Sequence, residues 1–142
     1  MTKGLTHVLA ALALVTAICG PAGAADYPTL YRELGLPEFP QAVVQAVGRD
    51  NSNLTDGLRI QLKTPASSAK LREFFEKRMT ELGWVLQETI AMKKMRKAGM
   101  LGQLPFNAAF CRSDGTVYQV TTVNLGSERH LNITVNKGSN SC

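Results

Sequence analysis

"LRIQLKTPASSAKLREFFEKRMTELGW" (Leu58–Trp84) changes its hydrophobic period midway. Leu58, Ile60 and Leu62 alternate with Arg59, Gln61 and Lys63. A period of two with that contrast is a strand with one buried and one wet face. From about residue 66 the spacing turns helical. Leu71, Phe74, Phe75, Met79 and Leu82 share one stripe, and Arg72, Glu73, Glu76, Lys77 and Glu81 take the other side. Thr64 is a candidate cap, and Pro65 is tolerated at a first helical position. Glu73 and Lys77 form a favourable i,i+4 pair. Gly83 is the expected stop. The helix therefore runs over about 66–82, and "WVLQETI" (84–90) follows as a strand with Trp84, Leu86 and Ile90 on one face.

Upstream, "AVVQAVG" (42–48) is short, apolar and β-branched, a strand, and "RDNSNLTDG" (49–57) is a polar turn. Downstream, three strands are expected at about 106–112, 115–123 and 129–136, joined by "SDGT" and "LGSER". In the last, Leu131, Ile133 and Val135 face inward, and His130, Asn132, Thr134 and Asn136 outward. The fold class is α+β: an antiparallel sheet in β-β-α-β-β-β-β order with one amphipathic helix packed on one face. The other face is polar or meets a partner.

Ahead of this domain lies an export signal. Val8–Ile18 is an apolar run of about 11 residues, and a bilayer span needs about 20. With Lys3 before it and Ala22-Gly23-Ala24 after it, the run matches a secretory signal peptide. Cleavage is expected after Ala24, with Ala25 nearly as good. Lipid attachment at Cys19 is disfavoured by the bulky Ile18 before it. The expected organisation is a cleaved signal over 1–24, an N-terminal lead-in over 25–41 ("DYPTLYRELGLPEFP", with "YRELGL" as one helical turn), and a single domain over 42–142. No later stretch is apolar enough to be a transmembrane segment.

Two further stretches carry a resemblance. "LPEFPQA" (36–42) and "TPASSAKLREFFEKRMTELGW" (64–84) follow a Pro-x-aromatic-Pro-x-Ala, Thr-Pro-x-Ser, helix, Gly-Trp pattern. This resembles small bacterial exported and lipoprotein domains with no assigned activity. The resemblance implies a bacterial origin and supports the α+β reading, and the export signal sets the expected location as periplasmic or secreted. It implies no catalytic residue.

Cys111 and Cys142 follow the signal, and an exported chain with two cysteines usually oxidises them. Their bond would close a loop of about 31 residues, worth roughly 3.5–4 kcal/mol in the chain-entropy picture. Free thiols or an intermolecular bond are the alternatives. No Cys-x-x-Cys pair supports redox chemistry.

Catalytic and cofactor chemistry find little purchase. After the signal the only histidine is His130, read as an exposed strand residue, so neither a nucleophilic triad nor a zinc set assembles around it. No Gly-rich phosphate loop follows a strand. "DNSNLTDG" (50–57) has Leu54 at the fifth position and no closing glutamate, which argues a turn and not a calcium loop. The sequons at Asn53 and Asn132 are chance matches in a bacterial chain. No metal and no cofactor are expected, and the chain is expected not to be an enzyme.

Charge points elsewhere. The formal net charge is +5, and its excess is local: Met92–Arg112 holds Lys93, Lys94, Arg96, Lys97 and Arg112 without an acid. Within it, "AMKKMRKAGMLGQLPF" (91–106) contains Gly99, Gly102 and Pro105, which oppose a long helix and imply a basic loop over 92–104. Lys93, Lys94, Arg96 and Lys97 alternate there with Met92, Met95 and Met100. Cations beside adaptable apolar groups suit an anionic envelope surface or an acidic envelope protein. The bland alternative is a solvated loop folded back on the core. No aromatic stacking platform accompanies the charge, so nucleic acid is not the expected partner. The expected function is a small exported, non-enzymatic binding module acting through that loop. The alternatives are a subunit of a larger envelope assembly, or a hydrolase using Asp or Glu.

Overall fold

The computed structural model describes residues 26–50 and 57–137. The expected signal peptide with Cys19, Ala24 and Ala25, most of the 49–57 turn, the Asn53 sequon and Cys142 lie outside the described residues.

The strand at the start of the quoted stretch forms as expected. β2 (Gly57–Thr64) follows β1 (Val43–Asp50) as an antiparallel hairpin, with a bulge in β1 between Val44 and Ala46. Leu58, Ile60 and Leu62 are buried, and Arg59 and Gln61 are exposed. Thr64 does not cap the helix. It is fully buried, and its Oγ1 accepts from the Ala66 amide at 3.2 Å, turning the chain out of the sheet. The cap is Ser67, whose Oγ accepts from the Lys70 amide at 3.2 Å, so α2 runs Ser68–Glu81.

α2 buries Leu71, Phe75 and Met79, while Phe74 packs partly against the core. Two expectations fail on this helix. Leu82 is exposed at the C-terminal cap, and Arg72, expected on the wet side, is buried. Arg72 lies next to the buried Met79 on the helical wheel, and a long stem with a planar head fits beneath the following loop, where its guanidinium covers the Phe106 ring at 5.5 Å. Gly83 ends the helix at φ 83°, with Trp84 N donating to Met79 O at 2.9 Å.

Beyond Trp84 the chain departs from expectation. β3 (Val85–Gln87) is only three residues long, and Ile90 does not share its inner face. Ile90 instead opens α3 (Ile90–Lys97), capped by Thr89 Oγ1 accepting from Met92 N at 3.2 Å. The expected single helix is thus joined by α3, by α1 (Thr29–Glu33) in the lead-in, and by a 3-10 turn over Leu101–Gln103. The expected loop 92–104 is mostly ordered helix. Gly99 does not oppose that helix but ends it, at φ 69° with Met100 N donating to Met95 O at 3.0 Å.

β4 (Ala108–Cys111), β5 (Val117–Leu125) and β6 (Glu128–Asn136) form an antiparallel meander. Among the described residues the sheet has six strands in the order β1-β2-β6-β5-β4-β3, every neighbouring pair antiparallel. β6 lies between β2 and β5. Register stacks the inner face in rows: Ile60, Ile133, Val120 and Ala108 form one, and Leu58, Val135, Tyr118 and Phe110 the next. Phe75 of α2 stacks on Phe106 at 5.6 Å and closes this core.

The lead-in belongs to the same core. Tyr27, Tyr31, Leu36 and Phe39 are buried in it. Tyr31 Oη donates to Pro37 O at 2.7 Å and lies 3.0 Å from Tyr118 Oη. With its one proton on Pro37, Tyr31 accepts from Tyr118. The outer sheet face carries Arg59, Gln61, Gln119 and Thr121 in the open, with Asn132 and Thr134 half-covered. His130 is half-buried on that face, in register with Lys63 and Val123.

Candidate basic face on the third helix

α3 follows from its caps. Thr89 supplies the N-terminal acceptor, Gly99 the C-terminal turn, and Lys94, Arg96 and Lys97 sit in the last turn, where cations complement the helix dipole. The helix buries no residue. What it does is sort the candidate side chains by face.

Ile90, Lys93, Lys94 and Lys97 fall at i, i+3, i+4 and i+7, one stripe of a helix, and all are exposed. Ile90 is 76% exposed. Lys93, Lys94 and Lys97 have no ion-pair partner among the described residues. The opposite stripe holds Met92, Met95 and Arg96. Both methionines are half-buried. Met100 lies past the helix end and is 48% exposed, and Leu101 behind it is buried as an anchor. The seven candidate residues therefore do not form one mixed surface: the lysines face out, and Met92, Met95 and Arg96 face in.

Arg96 is also not a free cation. Its Nη1 and Nη2 donate to Glu76 Oε2 and Oε1 at 3.0 and 2.8 Å. Its Nε and Nη2 donate to Glu88 Oε1 at 2.7 and 2.5 Å. These bonds, Glu76 first, raise its pKa above an already high value. Glu76 lies on α2 and Glu88 in the turn before α3, so one guanidinium ties three segments. Neither acid was identified from the sequence. Glu76 is 20 positions from Arg96, beyond any local spacing rule, and Glu88 precedes it by 8, which no i,i+4 pattern flags. Ile90 was the one partner that helical spacing to Lys93, Lys94 and Lys97 could have revealed.

The other candidates sit apart from α3. Cys111 is buried on β4 and its expected partner Cys142 lies outside the described residues. Arg112, the fifth cation of the basic stretch, lies 5.0 Å over the Trp84 ring and pairs with Asp114 at 2.7 Å in the β4–β5 turn. Its hydrogen bonds, with those of Thr116, hold the Asp114 carboxyl well below the usual carboxylate range. A cleft of about 530 Å³ between Phe39 and α2, floored by Phe74 and rimmed by Lys70, Glu73 and Lys77, includes none of the candidate residues. Among the described residues no three His, Cys, Asp or Glu side chains are grouped to hold a metal ion, and no helix is long and apolar enough to cross a membrane. No protein-family profile, curated protein or solved structure matches the chain.

Proposed function

We propose that this chain is a small exported, non-enzymatic binding module that docks on an anionic envelope surface through the outer face of α3. The observation that carries the reading is the exposed stripe of Lys93, Lys94 and Lys97, unpaired and flanked by the protruding Ile90. Three unpaired lysines on eight residues repel one another, and the repulsion is relieved when a negative surface screens them. Ile90 adds an apolar contact at the same face. The export signal, the Cys111–Cys142 bond and the resemblance to bacterial envelope domains support the location and belong to the same proposal.

Each lysine near an anionic lipid surface contributes about 1 kcal/mol. Replacing Lys93, Lys94 and Lys97 together by Gln should therefore weaken sedimentation with phosphatidylglycerol-containing vesicles by about a hundredfold, leave the melting temperature unchanged, and leave binding to neutral vesicles as weak as before. Equal binding of the triple variant and the wild type would remove α3 from the function.

β1 favours a second reading, a subunit of a larger assembly. It is an eight-residue edge strand with Val43 and Val47 exposed, and such edges are ready to pair with another chain. A monomeric mass in native extracts would count against it.

A further inference from the structure

Glu76 faces two guanidiniums. It accepts both Nη groups of Arg96 at 3.0 and 2.8 Å. Arg72 Nη1 stands 3.8 Å from Oε1, the oxygen that Arg96 Nη2 already holds, too far for a hydrogen bond. The Arg72 side chain is nine-tenths buried, with 9% of its surface exposed. Its Nε and Nη1 have no hydrogen-bond partner, and Nη2 has one long bond to Pro105 O at 3.4 Å. A buried guanidinium with unmet N–H groups is unfavourable. Arg72 and Glu76 are one helical turn apart on α2, a spacing at which side chains meet. The carboxylate is therefore engaged by the outer arginine while the inner one stands unsatisfied beside it.

α3 contributes no buried residue. Its docking rests on Arg96, on the half-covered Met92 and Met95, and on the chain's return through Leu101. We infer that Glu76 is an exchangeable carboxylate, paired with Arg96 while α3 is docked and with Arg72 when α3 lifts, so that α3 is a latch released by anionic binding. The release by anions rests on the proposed function; the exchange itself does not. Lifting separates Arg96 from Glu76 while Glu88, in the turn just before α3, stays with it, and turns Met92 and Met95 outward beside Lys93, Lys94 and Lys97. The released helix presents Met92 and Met95 beside its three lysines, an apolar contact that the docked helix withholds, and this is the differential affinity a surface needs to shift the equilibrium. Because Arg72 waits as a second partner, Arg96 leaves without stranding Glu76.

Amide hydrogen exchange over Lys93–Met100 tests this in the wild type, in Arg96→Met and in Arg72→Met, in buffer and with phosphatidylglycerol vesicles. In buffer, Arg96→Met should raise exchange of these amides about tenfold with α2 unchanged, and Arg72→Met should slow it severalfold, because docked α3 then has no competitor for Glu76. The Arg72 Nε–H resonance should move to a hydrogen-bonded position in Arg96→Met, a readout that does not depend on the fold of the Arg72 variant. On vesicles, wild-type α3 should exchange about tenfold faster. Unchanged protection in Arg96→Met, or an unmoved Arg72 resonance, overturns the exchange. Vesicle binding with α3 still protected overturns its release by anions. Absence of vesicle binding alongside the expected shifts in buffer overturns the proposed function and leaves the exchange standing.

Discussion

All three tyrosines of the chain, Tyr27, Tyr31 and Tyr118, are buried. Burial raises the Tyr27 phenol to about 12 despite the amide of Phe39 that donates to it. Burial likewise raises Tyr31 and Tyr118. An unfolded tyrosine titrates near 10. Between that value and the native ones the unfolded chain binds fewer protons than the folded one, so folding stability falls as pH rises. Stability is fully present below about pH 10 and is lost above it. Alkaline titration should show no phenolate absorbance until the far-ultraviolet circular dichroism collapses, and then all of it in one step. A tyrosine that ionises near 10 while the fold persists would contradict the burial. None of this follows from tyrosine spacing: Tyr31 and Tyr118 are 87 positions apart, and their pairing is a product of the sheet.

The contrast between α2 and α3 shows how much of each helix was legible. α2 carries a five-residue apolar stripe, a stop glycine and a strong change of period, and its inner face was readable apart from Arg72 and Leu82. α3 carries no buried residue, so the hydrophobic pattern that reveals helices was missing, and Gly99 looked like a breaker although it is an end. The signals present were the Thr89 cap and the i, i+3, i+4, i+7 set from Ile90. Basic composition located the candidate region, but not the sorting of lysines from methionines, because that depends on Glu76 of another helix. The same difference sets the outcome of cap removal. Ser67→Ala should lower global stability by about 1 kcal/mol, since α2 holds the core, and a denaturant melt would read it. Thr89→Ala should leave that melt unmoved and speed exchange only within α3. A global loss from Thr89→Ala would mean that α3 is integral to the core.

At the scale of the whole molecule, the α+β class and the strand-forming segments other than 84–90 followed from local pattern, whereas the strand order did not. Nothing local brings Ile60 beside Ile133. The expected bond from Cys111 on β4 to Cys142 would tie down the chain just beyond β6, the strand that joins the two halves of the sheet. Intact mass of the native protein should be lower by two hydrogen atoms than that of the reduced form, and reduction should cost about 2–4 kcal/mol in a denaturant melt. An unchanged mass would leave that pairing without support.

The position of β6 governs when folding can happen. It is the last strand of the described chain, and it fills the gap between β2 and β5. Until Leu131, Ile133 and Val135 have been made, the β1–β2 hairpin and the β3–β4–β5 half have no common sheet, and Ile60 and Val120 have no row to join. A growing chain therefore cannot settle into its native state piecemeal from the N-terminus. Its sheet closes only once β6 is present, through contacts remote in sequence, which makes folding slow. Until Val135 is in place, Ile60 and Val120 lack the row between them that the finished sheet supplies.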